Sequence, residues 1–266
     1  MPCPLLPPEL IIDHLHDVPT TLKSCSLVSK SWIPRARRNL FARIEFTSES
    51  YGVSSIGSWK KAFPNPSDSP AHHIRILRLS DIDSITAAGT HASAWFRSFH
   101  RVEALQLQSR WSEYLSISLA PFKGFSPTLR SLRLFLLSVP LPDALELICS
   151  FPLLEDVRLD GIIFGSDTYH WHPPPTSPKL TGALHLNEQS RIIVPGLLDL
   201  PDGLRFSKIL VACPDEGAEL IMKLVWKCCN ALEFLNISFY PFGTSRMPPP
   251  LDLCKATKLR EVMLIF

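Results

Sequence analysis

The stretch Leu129-Arg-Ser-Leu132-Arg-Leu134 sets a pattern that recurs along most of the chain: apolar, two residues, apolar, one residue, apolar. Its second half alternates as a strand does when one face is turned toward a core. Including this one, eight segments follow the pattern, and the last apolar residue of each is called its anchor. Successive anchors are 25 to 28 residues apart. The anchors are Leu79, Leu107, Leu134, Leu159, Leu186, Val211, Ile237 and Leu264.

This spacing lies inside the 20 to 29 residues of leucine-rich repeats. One such strand cannot bury its apolar face alone, whereas stacked strands build a continuous core. We therefore expect an α/β solenoid, a leucine-rich-repeat-like horseshoe of parallel strands, over residues 72–266. The last repeat stops at Phe266 with no return segment, so we expect an incomplete chain or a last strand exposed as an edge.

The segments between the strands are expected to be of two kinds. Ser84–Phe99, Pro142–Cys149 and Glu216–Cys228 have helical apolar spacing, with Asp215 as a candidate N-cap of the third. Gly165–Pro178 contains three consecutive prolines and is predicted to be an irregular loop.

Composition agrees with this organisation. The 266 residues include 25 prolines and only 11 glycines, with 45% hydrophobic and 20% charged residues. No proline lies in the six-residue windows that end at the anchors, as strands require. The net charge of +2 argues against a chain built mainly to hold nucleic acid by its phosphates.

Cysteine usage and apolar runs bear on the compartment. The seven cysteines are scattered, no apolar run approaches the ~18 residues of a membrane span, and the first residues lack a basic signal region. We expect reduced thiols in a cytoplasmic or nuclear protein that has no membrane partner.

Cys229-Asn-Ala-Leu232-Glu-Phe-Leu235-Asn-Ile237 is similar to the cysteine-containing class of leucine-rich repeats. The resemblance implies a small buried cysteine a few residues before the strand. In the repeat that begins at Leu154, Phe151-Pro occupies the corresponding position. Cys228 and Cys229 are therefore expected to be core thiols.

Residues 5–46 do not follow the repeat. Pro7-Pro8 would open a first helix, Pro19 a second one that runs to Val28, and Trp32 a third, basic one. Residues 47–71 are expected to form a linker with a short helix near 53–63.

This amino-terminal stretch resembles an F-box, especially the F-box-like set that is expanded in basidiomycete fungi. The resemblance covers about 40 residues. The matching residues are Leu6-Pro7-Pro8-Glu9-Leu10, Ile12-Asp13-His14-Leu15, Leu22, Cys25-Ser-Leu27-Val28-Ser-Lys-Ser-Trp32 and Arg37-Arg38-Asn-Leu40-Phe41.

The resemblance implies a small all-α module that docks on a Skp-type adaptor of a cullin–RING (SCF-type) ubiquitin ligase, while the repeats hold a substrate protein. It implies no enzyme activity of the chain itself and no cofactor. By the same analogy, the adaptor-facing apolar residues would be Leu6, Pro7, Leu10, Ile11, Leu22, Leu27, Val28 and Trp32.

Two alternatives stay open for this module. The same side chains could form the core of a three-helix knot, although so small a unit cannot bury eight large apolar residues internally. The first helix is also about three residues shorter than is usual in the family, nearly one turn. The chain would then be a leucine-rich-repeat interaction protein that engages no ligase.

One residue per repeat, between the last two apolar positions, would form a row on the exposed face of the sheet. We call it the outward row. An acidic or phosphorylated partner suits its arginines, and Asp156 and Asp160 would relieve the repulsion around Arg158. The apolar end at Leu210 and Met263 would anchor a partner side chain. An ordinary solvent-facing surface with local ion pairs is the alternative. The row is Arg78, Gln106, Arg133, Arg158, His185, Leu210, Asn236 and Met263, with the first five as candidate substrate-binding residues.

Other chemistry finds little support in the sequence. His170 and His172 with Asp167 fall short of the ligand number of a zinc site and have no cysteine near them, so we expect no metal. Residues 30–43 carry five basic and no acidic residues, which makes a helix-turn-helix nucleic-acid binder a further alternative. Against it, Pro34 would interrupt a recognition helix.

Overall fold

The computed structural model describes residues 12–15, 18–47, 56–80, 82, 96–109, 117–164, 171–214, 218–240 and 253–265. The helices are α1 Pro19–Val28, α2 Ile33–Leu40, α3 Ile56–Ala62, α4 Leu141–Cys149, α5 Val194–Leu198 and α6 Ala218–Cys228. The strands are β1 Arg43–Phe46, β2 Ile76–Ser80, β3 Ala104–Gln108, β4 Ser131–Phe135, β5 Ser138–Val139, β6 Asp156–Asp160, β7 Ile163–Phe164, β8 Ala183–Leu186, β9 Lys208–Pro214, β10 Phe234–Tyr240 and β11 Glu261–Ile265.

Nine of these strands form one open, wholly parallel sheet, in the order β1-β2-β3-β4-β6-β8-β9-β10-β11. Neighbours in the sheet are also neighbours along the chain, apart from the short β5 and β7, which pair with each other. Each predicted anchor lies in one of the last eight strands of the sheet. The protein therefore has an α/β fold built on a parallel sheet.

The apolar positions of the repeat face the core in register. Leu132 pairs with Leu105 on one side and with Val157 on the other, and all three are buried. Single carbonyls at the strand starts join the repeats as well: Arg130 O accepts the N–H groups of both Glu155 and Asp156. Because strand residues alternate between faces, this register leaves the intervening positions on the opposite side.

The sequence did not predict β1, which lies at the end of the segment assigned to the helical module. It pairs with β2, and its Phe46 is fully buried against the rings of Trp59 and Phe99. Trp59 belongs to α3, the short helix expected near 53–63. The amino-terminal segment thus contributes the first strand of the sheet.

The return segments agree with expectation where they are described. Helices α4 and α6 cover the second and third predicted helical returns. Of the first, the described end holds a 3₁₀ turn at Arg97–Phe99. Residues 171–178 contain neither helix nor strand. Asp215 lies outside the described residues.

At the far edge, the side chains of β11 are exposed. Val262 and Leu264, which continue the inward-facing rows, are 44% and 40% exposed. The expected exposed edge strand is present.

The helices before β1 have a small core of their own. Ile12, Leu22 and Ala36 are buried together, and Leu15, Trp32 and Leu40 pack on them. Pro34 lies in the first turn of α2 and does not interrupt it, because a helix needs no N–H donor there. The expectation of a break at Pro34 was wrong.

Cys25, Cys149, Cys228 and Cys229 form no disulfide bond, and Cys228 and Cys229 are buried as expected. Burial raises the pKa of Cys149 to about 11 and that of Cys228 to about 12. Both groups therefore stay protonated and unreactive at neutral pH. In the part of the chain with described coordinates, no helix is long and apolar enough to cross a membrane.

Candidate functional site

The outward row is continuous across the sheet. Arg78 pairs with Gln106, Gln106 with Arg133, Arg133 with Arg158, and Arg158 with His185. The row then continues through Leu210, Asn236 and Met263. At its start the structure adds Glu45 of β1, which pairs with Arg78 and accepts a hydrogen bond from Ser80. The predicted register is confirmed, and the row has one more, acidic, position.

Asp160 holds the two neighbouring arginines of the row together. Its Oδ2 lies 2.6 Å from Nε of Arg158 and 3.3 Å from an Nη atom of Arg133. The Arg133 guanidinium also lies over the Phe135 ring, 5.3 Å from its centroid, and its buried Nε has no hydrogen-bond partner. A carboxylate between two guanidinium groups offsets their mutual repulsion.

Asp156 does not form the expected ion pair with Arg158. Its Oδ1 accepts the backbone N–H of Ala183 at 2.6 Å. Glycine at position 182 makes this possible, because an added Cβ there would lie only 2.0 Å from the same oxygen. Of the two, Asp160 forms the ion pairs with the arginines of the row, and Asp156 joins two strands.

His185 adds little positive charge to the row. Burial of the ring, followed by the positive charge of Arg158, lowers the pKa of His185 below its ordinary value. A lowered pKa leaves the imidazole neutral at pH 7. The sequence predicts a basic half of the row from Arg78 to His185, whereas in the structure the positive charge runs only from Arg78 to Arg158.

A depression of about 210 Å³ lies where the row turns apolar. Its walls include Asp160, His185, Leu210 and Asn236. Asn236 donates a hydrogen bond to the sulfur of Met263 over 3.5 Å, which draws the next strand into the same surface. The arrangement offers an apolar floor beside polar and acidic groups, which suits one side chain of a bound segment.

The predicted adaptor-facing residues separate into three groups. Leu6, Pro7, Leu10 and Ile11 lie outside the described residues. Leu22 is fully buried in the small helical core, so its assignment to a partner surface was wrong; Trp32 is half-buried against the same core.

Leu27 and Val28 form the third group. They are 86% and 68% exposed. Both lie at the carboxyl end of α1, beyond Leu22 and Cys25, which are the buried residues of that helix. Large apolar side chains that are this exposed and adjacent are typical of a contact with another protein.

The basic run at 30–43 is partly neutralised. Arg35 binds the carboxylate of Asp13 through two nitrogens, and Asn39 donates to the same carboxylate at 3.1 Å. These hydrogen bonds, Arg35 first, hold the pKa of Asp13 well below its usual range. Arg35 is thus held by the protein itself, which leaves the neighbouring arginines to face solvent.

The histidine pair gives no site in the described structure. Asp167 and His170 lie outside the described residues, and His172 is exposed. Within the residues that the structure describes, no group of three or more His, Cys, Asp or Glu side chains is placed to hold a metal ion.

Sequence reasoning missed a second row at the starts of the strands. Arg75 pairs with Glu103 at 2.8 Å, and Arg130 pairs with Glu155 at 2.6 Å. The signal was present, because the residue after the first apolar position of each repeat alternates in sign over these four repeats.

Comparison with known proteins adds little. No family model matches the chain, and no curated protein is similar to it. One similar solved structure is that of a Bacteroides fragilis protein from a structural genomics consortium. It is 16% identical, with a TM-score of 0.40, over 85% of this chain and 74% of that chain. Values this low assign neither a family nor a function.

Proposed function

We propose that this protein is the substrate-recognition subunit of an SCF-type ubiquitin ligase, a binding protein and not an enzyme. The observation that carries the proposal is the outward row, a single in-register line of side chains that crosses eight successive parallel strands. Such a surface suits an extended segment of another protein, because each strand presents one side chain at about 4.8 Å intervals.

The sheet fits a leucine-rich-repeat solenoid in three respects. Its strands follow one another in chain order, its repeat length is 25 to 28 residues, and its inward positions from β2 to β10 are buried apolar residues. In solenoids each repeat contacts its neighbours, and the joined faces form a long binding surface.

The helical segment supports the second half of the proposal. Residues 12–15 and 18–40 contain a buried cluster of their own, apart from the core of the sheet. They also expose Leu27 and Val28 within a sequence that resembles an F-box. In this function the exposed pair contacts the Skp-type adaptor.

The mechanism is tethering. A substrate on the row and an adaptor on the helices are held in one complex, which raises the effective concentration of the substrate near the conjugating enzyme. No group of the chain takes part in the transfer chemistry, and no cofactor is needed.

Co-purification with a Skp-type adaptor tests the ligase assignment. We expect the full chain to bind the adaptor and the Leu27→Asp/Val28→Asp variant to lose it, with unchanged circular dichroism. Leu153→Asp is the matched control, because Leu153 is an exposed leucine (44%) in the repeat region. Failure of the unaltered chain to bind would leave an interaction protein that engages no ligase, the second candidate.

A further inference from the structure

A cleft lies between the helical segment and the first strands of the sheet. It has a volume of about 570 Å³. Arginines enter it from three parts of the chain: Arg35 and Arg38 from α2, Arg43 from β1, and Arg75 just before β2. Asp13 is the carboxylate among the lining residues that the structure describes.

Two of these arginines form ion pairs with carboxylates of the protein, and two do not. Arg35 is bound to Asp13, and Arg75 is bound to Glu103 at 2.8 Å. Arg38 and Arg43 are exposed, and neither makes an ion pair with a carboxylate of the described residues. The cleft therefore holds two guanidinium groups that form no ion pair with a described carboxylate, although the charge of Arg38 interacts with that of Asp13.

The pKa of nearby His73 reflects the positive charge around the cleft. Burial lowers the pKa of nearby His73, and the charges of His72, Arg101, Arg38 and Arg37 lower it further. In a chain of net charge +2, this concentration of arginines is a strong local departure. Arginine is the side chain best suited to bind a phosphate dianion through paired N–H groups.

We propose that this cleft binds the phosphate group of a phosphorylated segment of another protein. The site is separate from the outward row and does not depend on engagement with a ligase. Arg38 and Arg43 contact the phosphate, and Arg35 and Arg75, each paired with a carboxylate, line the cleft beside them. Leu40 and Ile76, which also line the cleft, contact the residues beside the phosphorylated side chain.

A protein segment fits the cleft better than nucleic acid does. Single-stranded nucleic acid is held by aromatic side chains on which successive bases stack. Among the described residues that line the cleft there is no aromatic side chain. Duplex DNA calls for a long basic surface along many phosphates, whereas Arg38 and Arg43 lie together in one short cleft.

The test measures binding of N-acetyl-O-phosphoserine amide and of inorganic phosphate to the full chain, at constant ionic strength. The readout is the Nε–Hε NMR signals of the arginines. We expect saturable shifts of the Arg38 and Arg43 signals. The Arg38→Gln/Arg43→Gln variant should bind about tenfold more weakly or worse, because two charge-assisted contacts are lost.

One control variant distinguishes this site from general electrostatics. Lys179→Gln/Arg260→Gln removes two exposed charges elsewhere, and it should keep the shifts of the Arg38 and Arg43 signals and the affinity of the unaltered chain. Absence of saturable shifts at Arg38 and Arg43, or an equal loss of affinity in the control and in the Arg38→Gln/Arg43→Gln variant, would overturn the proposal.

Two further probes test the class of ligand. A short oligothymidylate and vesicles that contain phosphoinositides carry the same phosphate chemistry from other sources. Weaker binding of both than of a phosphoserine peptide supports the assignment. Tighter binding of either, lost in the Arg38→Gln/Arg43→Gln variant, would show that the phosphate comes from nucleic acid or lipid and would refute it.

Discussion

Arg133 and Arg158 lie side by side on adjacent parallel strands, and the carboxylate of Asp160 contacts both guanidinium groups. Two like charges in this position would repel across the sheet. Asp160 removes much of that repulsion and also restrains both side chains. The row therefore presents arginines whose conformation is set before a partner arrives, which lowers the entropic cost of binding.

Asp160→Asn tests this arrangement. It keeps the shape of the side chain and removes its charge, so the two arginines should repel and the protein should lose about 1 kcal/mol of stability in urea unfolding. Glu219→Gln is the control, because Glu219 forms a highly exposed pair with Lys223 within α6. That change should cost no more than about 0.5 kcal/mol. Equal losses in the two variants would contradict the bridging role.

Reversal of the charge on the row should change the partner preference. On an array of acidic, phosphorylated and basic peptides, the unaltered chain should bind the first two classes. Arg133→Glu/Arg158→Glu should weaken that binding about tenfold or more, because charge-assisted contacts become repulsive.

The same variant must stay folded for the result to count. Arg158 is exposed, Arg133 is half-buried, and neither belongs to the hydrophobic core, so we expect an unchanged circular dichroism spectrum. Lys179→Glu/Lys227→Glu makes the same change in net charge at exposed positions off the row and should keep the preference. Identical array patterns for the unaltered chain and the row variant would refute the row as a recognition surface.

Stability should fall as the pH drops through the range where histidines are protonated. Burial lowers the folded-state pKa of His73 and His185. At a pH between the folded and unfolded pKa values, the unfolded chain therefore binds more protons than the folded chain does. Folded stability from these groups is complete above the unfolded pKa near 6.5 and decreases as the pH falls toward the folded value.

Urea unfolding at pH 7.5 and pH 5.5 measures this loss. Because Arg158 is the second cause of the shift at His185, Arg158→Gln should raise the NMR titration midpoint of that ring. A midpoint at or above 6.5 in the unaltered chain would contradict the arrangement.

Phe46→Ala tests whether β1 is part of the sheet. Phe46 is fully buried against Trp59 and Phe99, so its truncation should cost about 3–5 kcal/mol through lost burial and the remaining cavity. Ile44→Ala, on the same strand but half-buried, should cost less. A loss below about 1 kcal/mol at Phe46 would mean that β1 is not integral to the core.

The repeat pattern predicts the strands well because their burial is encoded locally. An apolar residue at alternate positions determines which face turns inward, and the constant period sets the neighbour of each strand. The repeat pattern does not predict strand β1, because its four residues include a single fully buried side chain and come soon after a helix. Its assignment depends on Trp59 and Phe99, which come from distant parts of the chain.

The contacts that charged residues make depend more on residues distant in the sequence than the burial of the strands does. Asp156 and Asp160 flank Arg158 symmetrically in the sequence, yet only Asp160 contacts it. The difference arises at Gly182, one strand away, which leaves room for Asp156 to reach a backbone N–H.

The sequence alone was enough to establish the parallel repeat, its register and the identity of the outward row, because alternation and period depend only on neighbouring residues. Leu22 and Leu27 show where local pattern stops being sufficient. Both are leucines of one helix, and packing against Ile12 and Ala36 buries the first while the second stays in solvent. Which side chains a partner can reach, and which arginines keep an unneutralised charge, depend on contacts between residues far apart in the chain, and those exist only once it has folded.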